Sequence, residues 1–254
     1  MPRSSGLLCL MVVPGAALGA PSDRSAVIAV SATTTISAVS IPGAARQNWR
    51  QAALSVAAGD PRRTVIEAEV DTEHRAATDV RLAARATTRT AGGSYYFGAG
   101  FVPNATFRDR WRLSGGAEQR LGTRWQASLD LRLAHYRDGT TAAFEPGLTF
   151  GAAPALALSA RAINLVDPQG RYRAGAALRA DFTPRGSIAW FASIARYPDR
   201  EEDGVRRLDA LAAGMRADIG DHWQLRLSAA QERRERSYRR RSVGLSLSYR
   251  PAAR

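Results

Sequence analysis

The sequence predicts an all-β fold, a closed antiparallel transmembrane β-barrel of about fourteen strands, with twelve as the alternative count. Three observations predict it. Apolar and polar residues alternate with period two through most of the chain. The alternating segments are long. The links between them alternate in character, short on one side and longer on the other.

The alternation is clearest in Trp125-Gln126-Ala127-Ser128-Leu129-Asp130-Leu131-Arg132-Leu133, where every odd position is apolar and every even one is polar or charged. Val243, Leu245, Leu247 and Tyr249 alternate in the same way with Ser242, Gly244, Ser246 and Ser248. So do Trp223, Leu225 and Leu227 with Gln224, Arg226 and Ser228, and Ile66, Ala68 and Val70 with Glu67, Glu69 and Asp71. Tyr172, Ala174, Ala176, Leu178 and Phe182 alternate with Arg173, Gly175, Arg179 and Asp181. A helix would scatter these residues around its circumference, whereas a strand places one set on each face.

Strands are expected near 26–39, 48–57, 63–74, 77–88, 93–102, 109–121, 124–137, 139–152, 154–166, 170–183, 185–197, 205–218, 222–235 and 238–250. Many reach the ~9–11 residues that a tilted strand needs to cross a bilayer. Strands of soluble sandwiches are shorter, about 5–6 residues. Gly59-Asp60-Pro61, Leu121-Gly122-Thr123, Pro184-Arg185-Gly186 and Gly220-Asp221-His222 read as tight turns. Ile41 to Gln47, Pro103 to Arg108, Tyr136 to Thr140, Pro198 to Arg206 and Arg233 to Arg239 read as the more polar or longer links. Trp111, Trp125, Tyr136, Phe182, Tyr197, Trp223 and Tyr249 fall at strand ends, the placement of interfacial girdles.

A sheet in lipid must satisfy every backbone N–H and C=O, so it must close. Its outer face must be apolar, and its inner face tolerates charge. The expected inner set is Glu67, Glu69, Asp71, Glu73, Arg81, Arg85, Arg112, Glu118, Arg120, Asp130, Arg132, Glu145, Arg161, Arg173, Arg179, Asp181, Arg216, Asp218 and Arg226. Alternation alone does not separate this arrangement from a soluble barrel with an apolar interior. The N-terminus, the strand lengths and the loop asymmetry decide for the membrane form.

That N-terminus has the pattern of a signal peptide over residues 1–19, which leaves 20–254 as the barrel. Arg3 supplies the positive start, Leu7 to Val13 the apolar core, and Ala17-Leu18-Gly19 or Leu18-Gly19-Ala20 the small residues before a cut. Cys9, the one cysteine, lies in this core, so the mature chain has no thiol or disulfide chemistry. The hydrophobic residues, 45% of 254, are dispersed. Beyond the first twenty positions no run approaches the ~18 apolar residues of a membrane helix. The formal charge of +13 comes entirely from arginine. Such a charge raises nucleic acid or an anionic surface as partner, and export argues against nucleic acid.

No catalytic, cofactor or metal site stands out, and no enzyme is expected. His74, His135 and His222 are far apart, without cysteine or ligand-like spacing. Asp221 beside His222 reads as turn chemistry. Gly98-Ala99-Gly100 lacks the third glycine and following helix of a nucleotide loop. His135 with Asp138 is the one pair suited to a lipid-modifying or proteolytic rim site. Arg233-Arg234-Glu235-Arg236-Ser237-Tyr238-Arg239-Arg240-Arg241 is the densest basic run. It reads either as a solvated loop or as one in which Arg233, Arg234, Arg236, Arg239 and Arg240 contact lipopolysaccharide phosphates.

From about Ser94 the chain resembles the YaiO family of outer-membrane β-barrels. The stretch Tyr95-Tyr96-Phe97-Gly98-Ala99-Gly100-Phe101 carries the resemblance, with Pro103, Asn104, Phe107, Arg110 and Trp111-Arg112-Leu113. Arg120-Leu121-Gly122, His135-Tyr136-Arg137-Asp138 and Ala195-Arg196-Tyr197-Pro198-Asp199 follow. The resemblance spans about 48–250. It implies an outer-membrane barrel without an established activity. Some relatives carry helical repeats ahead of the barrel, which are not expected here, and exopolysaccharide export systems have similar barrels. The chain departs from the pattern at its end, where Tyr249 is followed by Arg250-Pro251-Ala252-Ala253-Arg254 instead of closing on an aromatic.

Two functions are expected to compete. One is a channel or port for anionic solutes or exopolysaccharide, from the Arg-rich inner face. The other is a structural or surface-interaction barrel whose lumen is closed by salt bridges, with Glu67, Glu69, Asp71 and Glu73 pairing with Arg81 and Arg85. A lipid-modifying outer-membrane enzyme is the third. The expected partners are outer-membrane lipid and lipopolysaccharide, the barrel-assembly machinery and polysaccharide export components.

Overall fold

In a computed structural model, residues 29–184, 187–201 and 204–251 are described; residues 1–28, with the expected signal peptide and Cys9, and residues 185–186, 202–203 and 252–254 lie outside them. The described residues form fourteen strands and no helix. They are β1 (Ala29–Ser40), β2 (Gln47–Gly59), β3 (Thr64–His74), β4 (Thr78–Arg89), β5 (Gly93–Phe101), β6 (Trp111–Leu121) and β7 (Trp125–Tyr136). Then come β8 (Gly139–Ala153), β9 (Leu156–Val166), β10 (Tyr172–Phe182), β11 (Ile188–Glu201), β12 (Gly204–Ile219), β13 (Trp223–Arg234) and β14 (Tyr238–Tyr249). Each strand pairs antiparallel with its sequence neighbours, and β1 pairs with β14 from Val30 opposite Tyr249 to Ser40 opposite Arg239. The barrel is therefore closed and has no free edge for another chain to pair with.

Period-two alternation splits each strand between two faces. The outward phase carries the exposed large hydrophobics, among them Ile36, Leu54, Ile66, Phe97, Leu131, Leu178, Ile194, Leu211 and Val243. Leu129, Leu131 and Leu133 share this phase, while Asp130 and Arg132 take the other. Every residue of the expected inner set falls on the inward phase of its strand. A one-residue slip anywhere would turn a row of charges outward, so the hydrophobic pattern and the register enforce one another.

Both described ends of the chain lie at one end of the barrel. There the outward aromatics Trp125 and Phe150 sit 4.5 Å apart between centroids, and Trp223 and Tyr249 4.9 Å. The opposite end, called the far end below, carries the links 41–46, 75–77, 102–110, 137–138, 167–171 and 235–237.

Two expectations need correction here. Among the links grouped as more polar or longer, the β11–β12 ladder continues to Glu201 opposite Gly204, and the links after Tyr136 and Arg234 are tight hairpins, with Tyr136 opposite Gly139 and Arg234 opposite Tyr238. Arg236, at φ 51°, makes the last turn in the left-handed region, as three-residue hairpins require. The loop asymmetry rests mainly on the single segment 102–110. Tyr136 and Tyr197, read as girdle residues, are instead buried on the inward phase.

Candidate functional site

A fourteen-stranded barrel lies between eight-stranded barrels, whose side chains fill the interior, and porins of 16–18 strands, which enclose water. Inward side chains therefore decide whether the lumen is open. At the far end they fill it. Val39, Trp49, Glu73, Leu208, Arg234 and Tyr238 are each 2% exposed or less, although they come from six different strands.

The segment 102–110 contributes the plug. Its neck is closed by the Val102 amide, which donates to the Arg110 carbonyl at 2.9 Å. Its tip turns into the barrel because one inward carboxylate, Asp79 on β4, accepts from the backbone amides of Thr106, Phe107 and Arg108 at 2.9–3.1 Å. Amides that would otherwise be orphaned inside the barrel thus find a charged acceptor. Val102 and Phe107 are buried as a result. Arg108 reaches Asp71 at 2.9 Å and Glu73 at 3.0 Å on β3.

Around the plug the wall is knit across the lumen. Arg75, in the β3–β4 turn, bonds Glu73 at 2.7 Å, and its guanidinium lies 4.0 Å from the Trp49 ring centroid and 4.5 Å from that of Phe107. Trp49 meets Tyr238 edge-on at 5.2 Å. Tyr238 donates to Glu201 at 3.2 Å, and Arg234 bonds Asp199 at 3.1 Å and Glu201 at 3.0 Å. Arg200 of β11 pairs with Asp138 beside β7. A second apolar cluster, Ile163, Tyr197 and Leu208, fills the β9–β12 side.

Arg112 holds Asp109 at the plug's base at 2.6 Å and 3.1 Å. Burial acts to raise the Asp109 pKa, and the Arg112 charge outweighs it, keeping the carboxyl below the usual carboxylate range. A carboxylate lowered by folding adds stability that is fully present above its unfolded pKa, about 3.9, and is lost as pH falls through the folded value. The plug is thus expected to hold unchanged at pH 5 and to weaken only below about pH 4. Guanidinium midpoints measured from pH 7 to 3 check this. Asp109→Asn should show a flatter acid limb than the wild type, and identical limbs would contradict the role.

Below the plug most inward groups are partly covered, and Asp71 and Glu145 are buried. Arg161 links Asp130 at 2.8 Å with Glu145 at 3.4 Å, and Arg132 adds to Glu145 at 3.2 Å. Arg81 pairs with Glu69 and Asp71. Arg85, opposite Glu67 in register, lies instead over the Tyr96 ring at 3.8 Å. Nearer the chain termini, Arg179 and Arg226 approach the Phe191 ring at 4.5 and 5.1 Å, and Arg216 stands directly opposite Arg226. Hydroxyls line the adjoining wall, with Ser31 bonded to Ser248 and Thr33 to Ser246. Glu118, Arg120 and Asp218 lie exposed near this mouth.

The basic run does not form one loop. Arg234 and Arg240 point inward and are buried; Arg240 donates to Ser37 at 2.8 Å. Arg233, Arg236 and Arg239 are exposed. Alternation through the hairpin forces this division. His135 and Asp138 have separate partners: His135 stacks on Trp111 and bonds Thr140, while Asp138 goes to Arg200. His74 bonds Thr78, and His222 bonds the Arg250 carbonyl. No cluster of three metal-ligating side chains occurs among the described residues.

No protein-family model matches the chain, and no curated protein matches it. Solved structures do. The chain is similar to a bacterial polysaccharide outer-membrane secretin, at a TM-score of 0.56 and 9% identity over 91% of this chain and 100% of that one. It is similar to Pseudomonas aeruginosa OpdQ, at 0.51 and 6% over 90% and 99%. It is also similar to the translocator domain of the autotransporter NalP from Neisseria meningitidis, at 0.50 and 13% over 91% and 90%. The fold is that of outer-membrane β-barrels.

Proposed function

We propose that this protein is an outer-membrane port, closed at rest at its far end, for anionic solutes or an acidic exopolysaccharide. The observation that carries the reading is the contrast between the two halves of the lumen. One half is sealed by a discrete segment whose tip amides converge on one carboxylate, Asp79, and whose Arg108 and Asp109 pair with the wall, and the other is polar and reaches toward the end that carries the chain termini. The opposed Arg216 and Arg226, beside a hydroxyl-lined wall, support an anionic, oxygen-rich cargo. Export past residues 1–19, insertion by the barrel-assembly machinery, membership of the YaiO family and coupling to polysaccharide export components belong to the same reading. The polysaccharide secretin among the structural neighbours fits it.

Planar-bilayer conductance tests the reading. The wild type is expected to be silent or to flicker. Asp79→Ala removes the acceptor of three plug amides and should give sustained, anion-selective current. An open wild-type pore would contradict the closed resting state. A second reading is a permanently closed structural barrel, favoured by Arg234, Asp199 and Glu201, which seal the lumen from the wall itself. A folded but silent Asp79→Ala variant would select it.

A further inference from the structure

The outward apolar band is uneven around the barrel. On β10 it runs from Phe182 to Tyr172, ten residue steps. That is about 33 Å along the strand, or ~25 Å along the axis at a tilt of ~40°, which matches the usual hydrocarbon-facing band. On β11, β13 and β14 it runs only six steps, from Ile188 to Ile194, Trp223 to Ala229 and Tyr249 to Val243. Six steps cover ~20 Å along the strand and about 15 Å along the axis. Beyond these short stretches the outward positions turn basic, with Arg196 on β11, Arg233 on β13, and Arg241 and Arg239 on β14.

Register sets these groups in one row. Arg196 is opposite Asp209, Asp209 is opposite Arg233, and Arg233 is opposite Arg239. Asp209, the one acid in the row, is engaged by Arg196 at 2.6 Å, and Arg207 lies 3.9 Å from it. Arg233 and Arg239 therefore face each other across adjacent strands as like charges, an arrangement that destabilises a sheet. Repulsion grows where lipid lowers the dielectric. An anion between the two guanidiniums removes it, and their planar forks suit phosphate oxygens. The row lies just beyond a shortened apolar band, at headgroup height, so the anion belongs to an amphiphile.

We propose that Arg233, Arg239 and Arg241, flanked by Arg196 and Arg207, bind the phosphates of an outer-leaflet lipid headgroup, the diphosphorylated lipid A of lipopolysaccharide. The site rests on the outer-membrane location but not on conduction, and a measurement in detergent separates the two. The refolded full chain is loaded with diphosphoryl lipid A or with enzymatically dephosphorylated lipid A, and retention is read by native mass spectrometry. The wild type should retain the phosphorylated lipid roughly tenfold or more better. The triple variant Arg233→Gln/Arg239→Gln/Arg241→Gln should lose that preference. The control Arg62→Gln/Arg63→Gln, at the opposite end, should keep it. If the triple variant does not refold, Arg239→Gln alone should reduce retention about threefold. Equal retention of both lipids, an unchanged triple variant, or equal loss in the control overturns the site. Displacement by inorganic phosphate at the lipid's own concentration overturns the lipid assignment in favour of a free anion.

Discussion

Replacing Arg234 by leucine is expected to destabilise the barrel by about 3–5 kcal/mol, the cost of removing one partner from a buried ion network. Arg234 has a fully buried side chain that bonds Asp199 at 3.1 Å, Glu201 at 3.0 Å and the Gly204 carbonyl at 2.9 Å. Without it, two carboxylates remain in a space closed to water, and one of them also anchors Tyr238. Guanidinium unfolding of the reconstituted barrel measures the change. The triple replacement Arg234→Leu/Asp199→Leu/Glu201→Leu removes the charges together and should recover much of the loss, because an apolar set of similar volume avoids the desolvation cost. A loss below about 1 kcal/mol for Arg234→Leu would instead indicate a hydrated network of surface type.

Leu131→Arg is expected to cost about 2–4 kcal/mol, because an outward charge near the midplane meets hydrocarbon. Its neighbour Arg132 faces inward and shares Glu145 with Arg161, so Arg132→Leu leaves Glu145 partnered and should cost only about 1 kcal/mol. The contrast between adjacent positions is the informative quantity, since it follows from the direction of each side chain. Labels at 129, 131 and 133 should be reached by lipid-borne quenchers, and labels at 130 and 132 should be spared. Quenching at the even positions, or at neither set, would contradict the membrane orientation.

The strand count, the strand positions and the two faces were legible in the sequence because they depend on period two alone. The Leu129–Leu133 stretch needs no partner to show which residues share a side. The plug was not legible as such. Its signal is local: near the far end the inward phase turns apolar, at Val39, Trp49, Ile163, Leu165, Tyr197, Leu208 and Tyr238. Such residues, Tyr136 and Tyr197 among them, read equally well as girdle or core until their direction is known. Asp79 gave no signal at all, since its role lies in amides 27–29 residues away along the chain.

The hairpin Arg233–Arg241 shows the same boundary within one segment. Its composition establishes a concentration of positive charge. Only the register of β13 against β14, and of both against the closed barrel, divides that charge, sending Arg234 and Arg240 to a dry interior and Arg233, Arg239 and Arg241 to the outer rim. By itself, then, the sequence determined the periodicity, and through it a sheet with one apolar and one charged face. Which charges meet, which are stranded and which end of the lumen is filled were decided by closure. Those outcomes are distances between residues far apart in the chain, and alternation along a strand carries no information about what lies across the barrel from it.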